Sequence, residues 1–209
     1  MASLQSMMTT ASHIVGSAFG GGHQRYPMVE VKSTVDGKTY KVRDLPDKQG
    51  AADLIARVRM KIAKLYFHVE KQFPDKPQIQ FLRSNFKPDA SRFFESTPEA
   101  EHTSYSVNKG EAVHLCLRQR TEGEQLVNEN VMVFVSIHEM AHAMTRTIGH
   151  DASFWNNFAF LLEQAEAIGV YQYVNFAAHP VAYCGVKITD SPKYDPKKDG
   201  NDMSIGTIT

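Results

Sequence analysis

The chain has 209 residues, and its 23 lysines and arginines balance 23 aspartates and glutamates to a formal net charge of zero. That length supports one buried core and excludes a string of independent domains, and the balance leaves no bulk field to draw the chain to nucleic acid or an anionic membrane. Two cysteines, Cys116 and Cys184, are too few for a disulfide scaffold, so free thiols and a reducing, intracellular setting are expected.

Residues 1–26 are rich in Ser, Thr and Gly and read as a flexible arm. Their apolar stretch is too short to span a bilayer and lacks the basic lead of a signal peptide. Residues 29–34 and 39–43 alternate around Asp36-Gly37, which predicts a hairpin. Leu54, Val58, Ile62, Leu65 and Val69 recur at helical spacing and predict a long amphipathic helix over 50–73, ended before Pro74. Arg57, Arg59, Lys61 and Lys64 fall on its outer face and read as solvated. Residues 78–82 read as a strand. Residues 84–101, with Pro88 and Pro98, read as irregular and as part of a substrate rim.

A second hairpin is expected from 103–107 and 111–117 around Asn108-Lys-Gly110. Its second arm is the candidate open edge for pairing with extended substrate backbone, and His114 within it reads as structural. Gln119 to Gln125 form a polar turn. A helix capped by Asn128 should run to about Ile148, and a second one, capped by Asp151, should cover 153–168 and stop at Gly169. The last residues, 191–209, are polar with Gly and Pro and read as a flexible tail.

The chemistry concentrates in the first of these helices. His138-Glu139-Met-Ala-His142 places two imidazoles one turn apart on one face. Such a pair can fill two corners of a zinc tetrahedron, while the intervening Glu139 is turned aside as a general base. Random placement would give this pattern roughly 0.02 times in such a chain. The residues before it, 131–137, are almost continuously apolar, so the imidazoles belong to a core and need partners there.

A third ligand must follow. His150, after a chain reversal at Gly149, is preferred, with Glu163 and Glu166 on the next helix as alternatives; Asp151 reads better as a cap. Tyr171, Tyr173, His179 and Tyr183 are candidates for hydrogen-bonding an oxyanion, and Tyr183 is preferred.

His138-Glu-Met-Ala-His142 followed by Gly149-His150-Asp-Ala-Ser-Phe154-Trp155 resembles the SprT-like and WLM (Wss-like) metallopeptidases. Those families place a third His in a Gly-His-x-x-x-Phe setting that opens a helix. The resemblance implies a compact zincin-like fold and peptidase activity, and the best-known members cleave proteins crosslinked to DNA. The segment from Tyr183-Cys184-Gly185 to Pro192 is also similar to WLM-like proteins carried by some large DNA viruses, which would add the virion as a setting.

The expectation is therefore an α+β zincin-like domain over 27–190, with a small mixed sheet packed on the zinc helix. Zn²⁺ is held by His138, His142 and His150, Glu139 is the base, and Tyr183 assists. The expected partner is a polypeptide substrate; net charge does not support nucleic acid, and no membrane association is expected. A non-catalytic zinc protein of the same fold is the rival from another class, and a peptidase acting on DNA-crosslinked proteins is a narrower alternative.

Overall fold

The structure, a computed structural model, describes residues 26–100 and 103–192. The arm expected over 1–26 and the tail expected over 191–209 lie outside them except at residues 26, 191 and 192.

The first hairpin forms as expected. β1 (Met28–Lys32) pairs antiparallel with β2 (Thr39–Arg43), Met28 opposite Arg43 and Lys32 opposite Thr39. Tyr40 and Val42 turn one face of β2 into the core. α1 (Lys48–Gln72) buries the expected stripe of Leu54, Val58, Ile62, Leu65 and Val69. It stops at Phe73, because a residue before proline is pushed out of the helical region.

The cations of α1 do not form a free face. Arg57 and Lys61 both pair with Glu129 at 2.7 Å. Arg59 is half-buried between Asp36 and the Tyr40 hydroxyl, and Lys64 donates to the Ile168 carbonyl at 2.9 Å. They tie the helix to its neighbours in the fold.

Residues 78–82, expected as a strand, lie in α2 (Pro77–Asn85). Pro77 sits in the first turn, where its missing N–H is no loss, and Gln78, Ile79 and Leu82 share one buried helical side. So short an apolar run satisfies either period. After a single 3-10 turn, β3 (Phe93–Glu95) emerges from the stretch expected to be irregular and takes the centre of the sheet. Three residues are too few to show a period.

β4 (Tyr105–Val107) and β5 (Ala112–Leu115) make the second expected hairpin. The sheet order is β1-β2-β3-β5-β4, with β2–β3 and β3–β5 parallel and the other pairs antiparallel. This corrects the edge assignment: β5 is covered on both sides, and β4 is the edge strand beside it. His114 is a structural residue, stacked between Phe94 and Tyr105 with ring centroids 5.2 and 4.6 Å away.

α3 (Glu129–Met144) is buried from Val131 to its end. Asn128 caps it, its side-chain oxygen accepting from the amides of Asn130 and Val131. The helix stops at Met144 rather than near Ile148. Thr145 is extended (φ −106°, ψ 131°), and Gly149 uses its positive φ of 90° inside the loop rather than as a helix cap. α4 (Ala152–Ala167) starts at Asp151, whose carboxylate accepts from Phe154 N at 2.9 Å.

β6 (Val181–Tyr183) and β7 (Val186–Ile188) form a separate small hairpin, turning at Cys184-Gly185 with φ 48° and 86°. Cys116 and Cys184, expected as free thiols, are joined in a disulfide. Their separation of 68 residues hid the pairing, which needs the small hairpin folded back against β5. Gln119 completes that contact, accepting from Cys184 N and donating to Ala182 O, both at 2.9 Å. The bond removes the basis for expecting a reducing compartment. No helix among the described residues is long and apolar enough to cross a membrane.

The α+β expectation thus holds. A mixed five-stranded sheet lies against helices, and α3 runs through the core beside the edge strand β4.

Candidate metal centre

His138 and His142 project from one side of α3, one turn apart. The loop 145–150 then turns back, and His150 meets them immediately before α4. His138 Nε2 lies 3.1 Å from His142 Nε2 and 3.2 Å from His150 Nε2. An imidazole nitrogen offers one N–H or one lone pair in the ring plane, so two ordinary hydrogen bonds at His138 Nε2 do not account for both approaches. Tetrahedral zinc with Zn–N of about 2.0–2.1 Å would hold its nitrogens roughly 3.3 Å apart. The three side chains can therefore hold a metal ion.

Burial prepares them for it. Desolvation, joined by the neighbouring imidazoles, holds His138 well below the usual histidine range. It brings His142 down to about 3, helped by His150 and by the Lys109 ammonium, and it lowers His150 as well. All three are neutral at neutral pH, the form in which the imidazole nitrogen offers a lone pair. Phe154 closes the floor beneath them and Trp155 flanks His150, its ring 5.7 Å away.

Glu139 is almost fully buried. Burial pushes its carboxyl up to about 8, against the opposing influence of Ser106 on β4. Ser106 turns its backbone N–H and its hydroxyl towards the carboxylate, yet Glu139 Oε1 and Ser106 Oγ are buried without a hydrogen bond of normal geometry. Two unpartnered polar atoms in a buried place are costly unless water or a ligand satisfies them. They fit a site that works on a small polar group next to a bound cation. Ser106 was not singled out in the sequence; its one signal is its place in the strand before the Asn108-Lys-Gly110 turn.

The alternative ligands lie elsewhere. Glu163 and Glu166 are on the exposed side of α4, close enough to each other for Glu163 to raise the Glu166 carboxyl. Asp151 is occupied as the helix cap. Among the oxyanion candidates, Tyr173 and His179 are exposed and Tyr171 packs on Phe134. Tyr183 is buried, its hydroxyl 2.5 Å from Ser104 Oγ; that burial raises its phenol, and the nearby Glu139 adds to the rise.

Comparison with known proteins agrees with this picture. The family model described as the WLM domain matches residues 35–207. An uncharacterized protein of Acanthamoeba polyphaga mimivirus is 31% identical over 164 residues, 77% of this chain and 82% of that protein. Uncharacterized proteins of invertebrate iridescent viruses 6 and 3 are 32% and 37% identical over 69 and 71 residues. Those matches cover 32% and 34% of this chain and 38% and 43% of the viral proteins. No solved structure matches the chain. With the family model spanning most of the sequence and the three histidines gathered as its motif suggested, the chain belongs to the WLM domain family.

Proposed function

We propose that the protein is a zinc-dependent peptidase that hydrolyses peptide bonds in extended polypeptide. The observation that carries this reading is the convergence of three neutral imidazoles beside a buried carboxylate with an unpartnered oxygen. Histidine nitrogens in a tetrahedral arrangement suit zinc. Bound there by His138, His142 and His150, zinc would polarise a carbonyl as a Lewis acid and lower the pKa of a water molecule.

The chain's own residues do the rest. With a cation bound beside it to favour its ionised form, Glu139 would take a proton from the attacking water and return it to the leaving amine. β4, the edge strand beside α3, carries Ser106 towards Glu139 and would pair with substrate backbone. Tyr183 is the proposed hydrogen-bond donor to the developing oxyanion, as the oxyanion candidate within electrostatic reach of Glu139. Its hydroxyl is now held by Ser104, so it must exchange that partner for substrate. A buried carboxylate with one oxygen left unpartnered also favours an enzyme over a non-catalytic zinc protein, in which it would only cost stability.

Metal removal tests the proposal. Protein stripped with a chelator should lose cleavage of an unstructured polypeptide and regain it with about one equivalent of zinc. Cleavage that survives complete stripping would contradict it.

A further inference from the structure

Two of the three histidines are fixed by α3 itself. The third stands at the end of a loop, and something must hold that loop in place. We propose that Lys109 is a positioning residue for the metal centre, holding the 145–150 loop by its carbonyls so that His150 reaches His138 and His142. The inference rests on the metal site proposed above.

An ammonium group carries three donors. Lys109 Nζ lies 2.6 Å from Thr145 O, 2.6 Å from Arg146 O and 3.2 Å from Thr147 O. In a continuing helix those carbonyls would point along the axis to amides four residues on. Here they converge on one cation, and the chain reverses. The rest of the loop is pinned at its ends. Thr145 Oγ1 donates to Ala141 O at 2.7 Å and accepts from Asn157 Nδ2 at 2.9 Å, and Asp151 caps α4. Between those ends, Lys109 holds the carbonyls of both Arg146 and Thr147.

The turn that presents Lys109 is built for this aim. Asn108, Lys109 and Gly110 all have positive φ, at 45°, 58° and 117°. A lysine in that region is uncommon, so the turn sets where its side chain leaves the backbone at some cost in local preference. Gly110 presses onto the last turn of α3. A Cβ added there would lie 2.9 Å from Phe86 Cδ2 and 3.3 Å from Ala143 Cβ. The base of the lysine and the end of the metal helix are therefore fixed together, and the half-buried ammonium sits 5.3 Å from the centre of the Phe81 ring.

The charge of Lys109 acts in the opposite sense to its geometry. A cation near a metal centre repels a divalent ion, so field effects alone predict tighter zinc binding once the charge is gone. Positioning predicts weaker binding. The test is the zinc dissociation constant, measured by competition with a chromophoric chelator, for wild type, Lys109→Met, Lys109→Gln, His150→Ala and the Lys109→Met/His150→Ala pair. Thermal midpoints of the metal-free forms verify that each variant folds.

Loss of a group that orients a ligand typically weakens metal binding about tenfold to a hundredfold. Lys109→Met should show a loss of that size, and Lys109→Gln, which keeps one amide donor group, a smaller one. His150→Ala should lose more. Adding Lys109→Met to His150→Ala should weaken binding no further, because the lysine acts through that histidine. Lys109→Met binding zinc as tightly as wild type or more tightly would overturn the inference. So would an equal loss in the His150→Ala background. Wild type that binds no zinc would overturn this inference together with the metal site on which it rests.

Discussion

Phe154 packs against all three histidines of the site. Its ring centre lies 4.8 Å from that of His138, 4.3 Å from His142 and 4.6 Å from His150. It belongs to α4, so the packing of one helix against another sets the floor of the site. Phe154→Ala should open a cavity and cost about 3–5 kcal/mol, read by urea denaturation of the metal-free protein, and should weaken zinc binding as well. Unchanged stability would mean that the ring is not the floor. His138, Glu139 and His142 were legible in the sequence because their spacing is a property of one helix. His150 was legible from its place shortly after the helix beside Gly149, although the chain turns at Thr145 rather than at that glycine. Ser106 and Lys109 were not, since each reaches the site from the β4–β5 hairpin, about thirty residues back along the chain.

Among the elements, β3 is short but central. Glu95 on β3 accepts from Arg43 N at 2.7 Å and pairs with Arg118, joining β2 to the segment after β5. Both side chains are almost completely buried, and Arg118 also reaches Asp47 at 2.7 Å. Removing one partner of a buried pair leaves the other desolvated and uncompensated. Glu95→Ala should therefore destabilise the fold by about 3–5 kcal/mol, measured from its denaturant midpoint; a loss under about 1 kcal/mol would show that Asp47 suffices for Arg118. Gly110→Ala should also destabilise, by about 1–3 kcal/mol, since the position combines a positive φ with a close approach to Phe86. Thermal unfolding of the variant checks this. The first two hairpins and three of the four helices were readable from alternation, helical spacing, caps and the apolar run before His138, whereas the β6–β7 hairpin was not foreseen. β3 was not, because its place comes from parallel partners distant in sequence, and α2 was misread because five residues of mixed polarity fit both periods.

At the scale of the molecule, the fold is drawn together by one long covalent link and by ion pairs between helices. The Cys116–Cys184 disulfide closes a loop of 68 residues, for which the chain-entropy account gives a stabilisation of about 4 kcal/mol. Reduction, or Cys116→Ser with Cys184→Ser, should lower the thermal midpoint by roughly 10 °C. An unchanged midpoint would mean that the hairpin carrying Tyr183 is held by Gln119 and packing alone. Arg57, Arg59, Lys61 and Lys64 of α1 are engaged within the fold.

The most direct test of the central claim compares wild type with Glu139→Gln, with zinc content and cleavage of an unstructured polypeptide measured on the same preparations. The amide keeps the shape of the carboxylate but cannot take a proton. The account predicts equal zinc, about one per chain, with hydrolysis reduced about 10²–10⁴-fold. Equal turnover by the two proteins would contradict it.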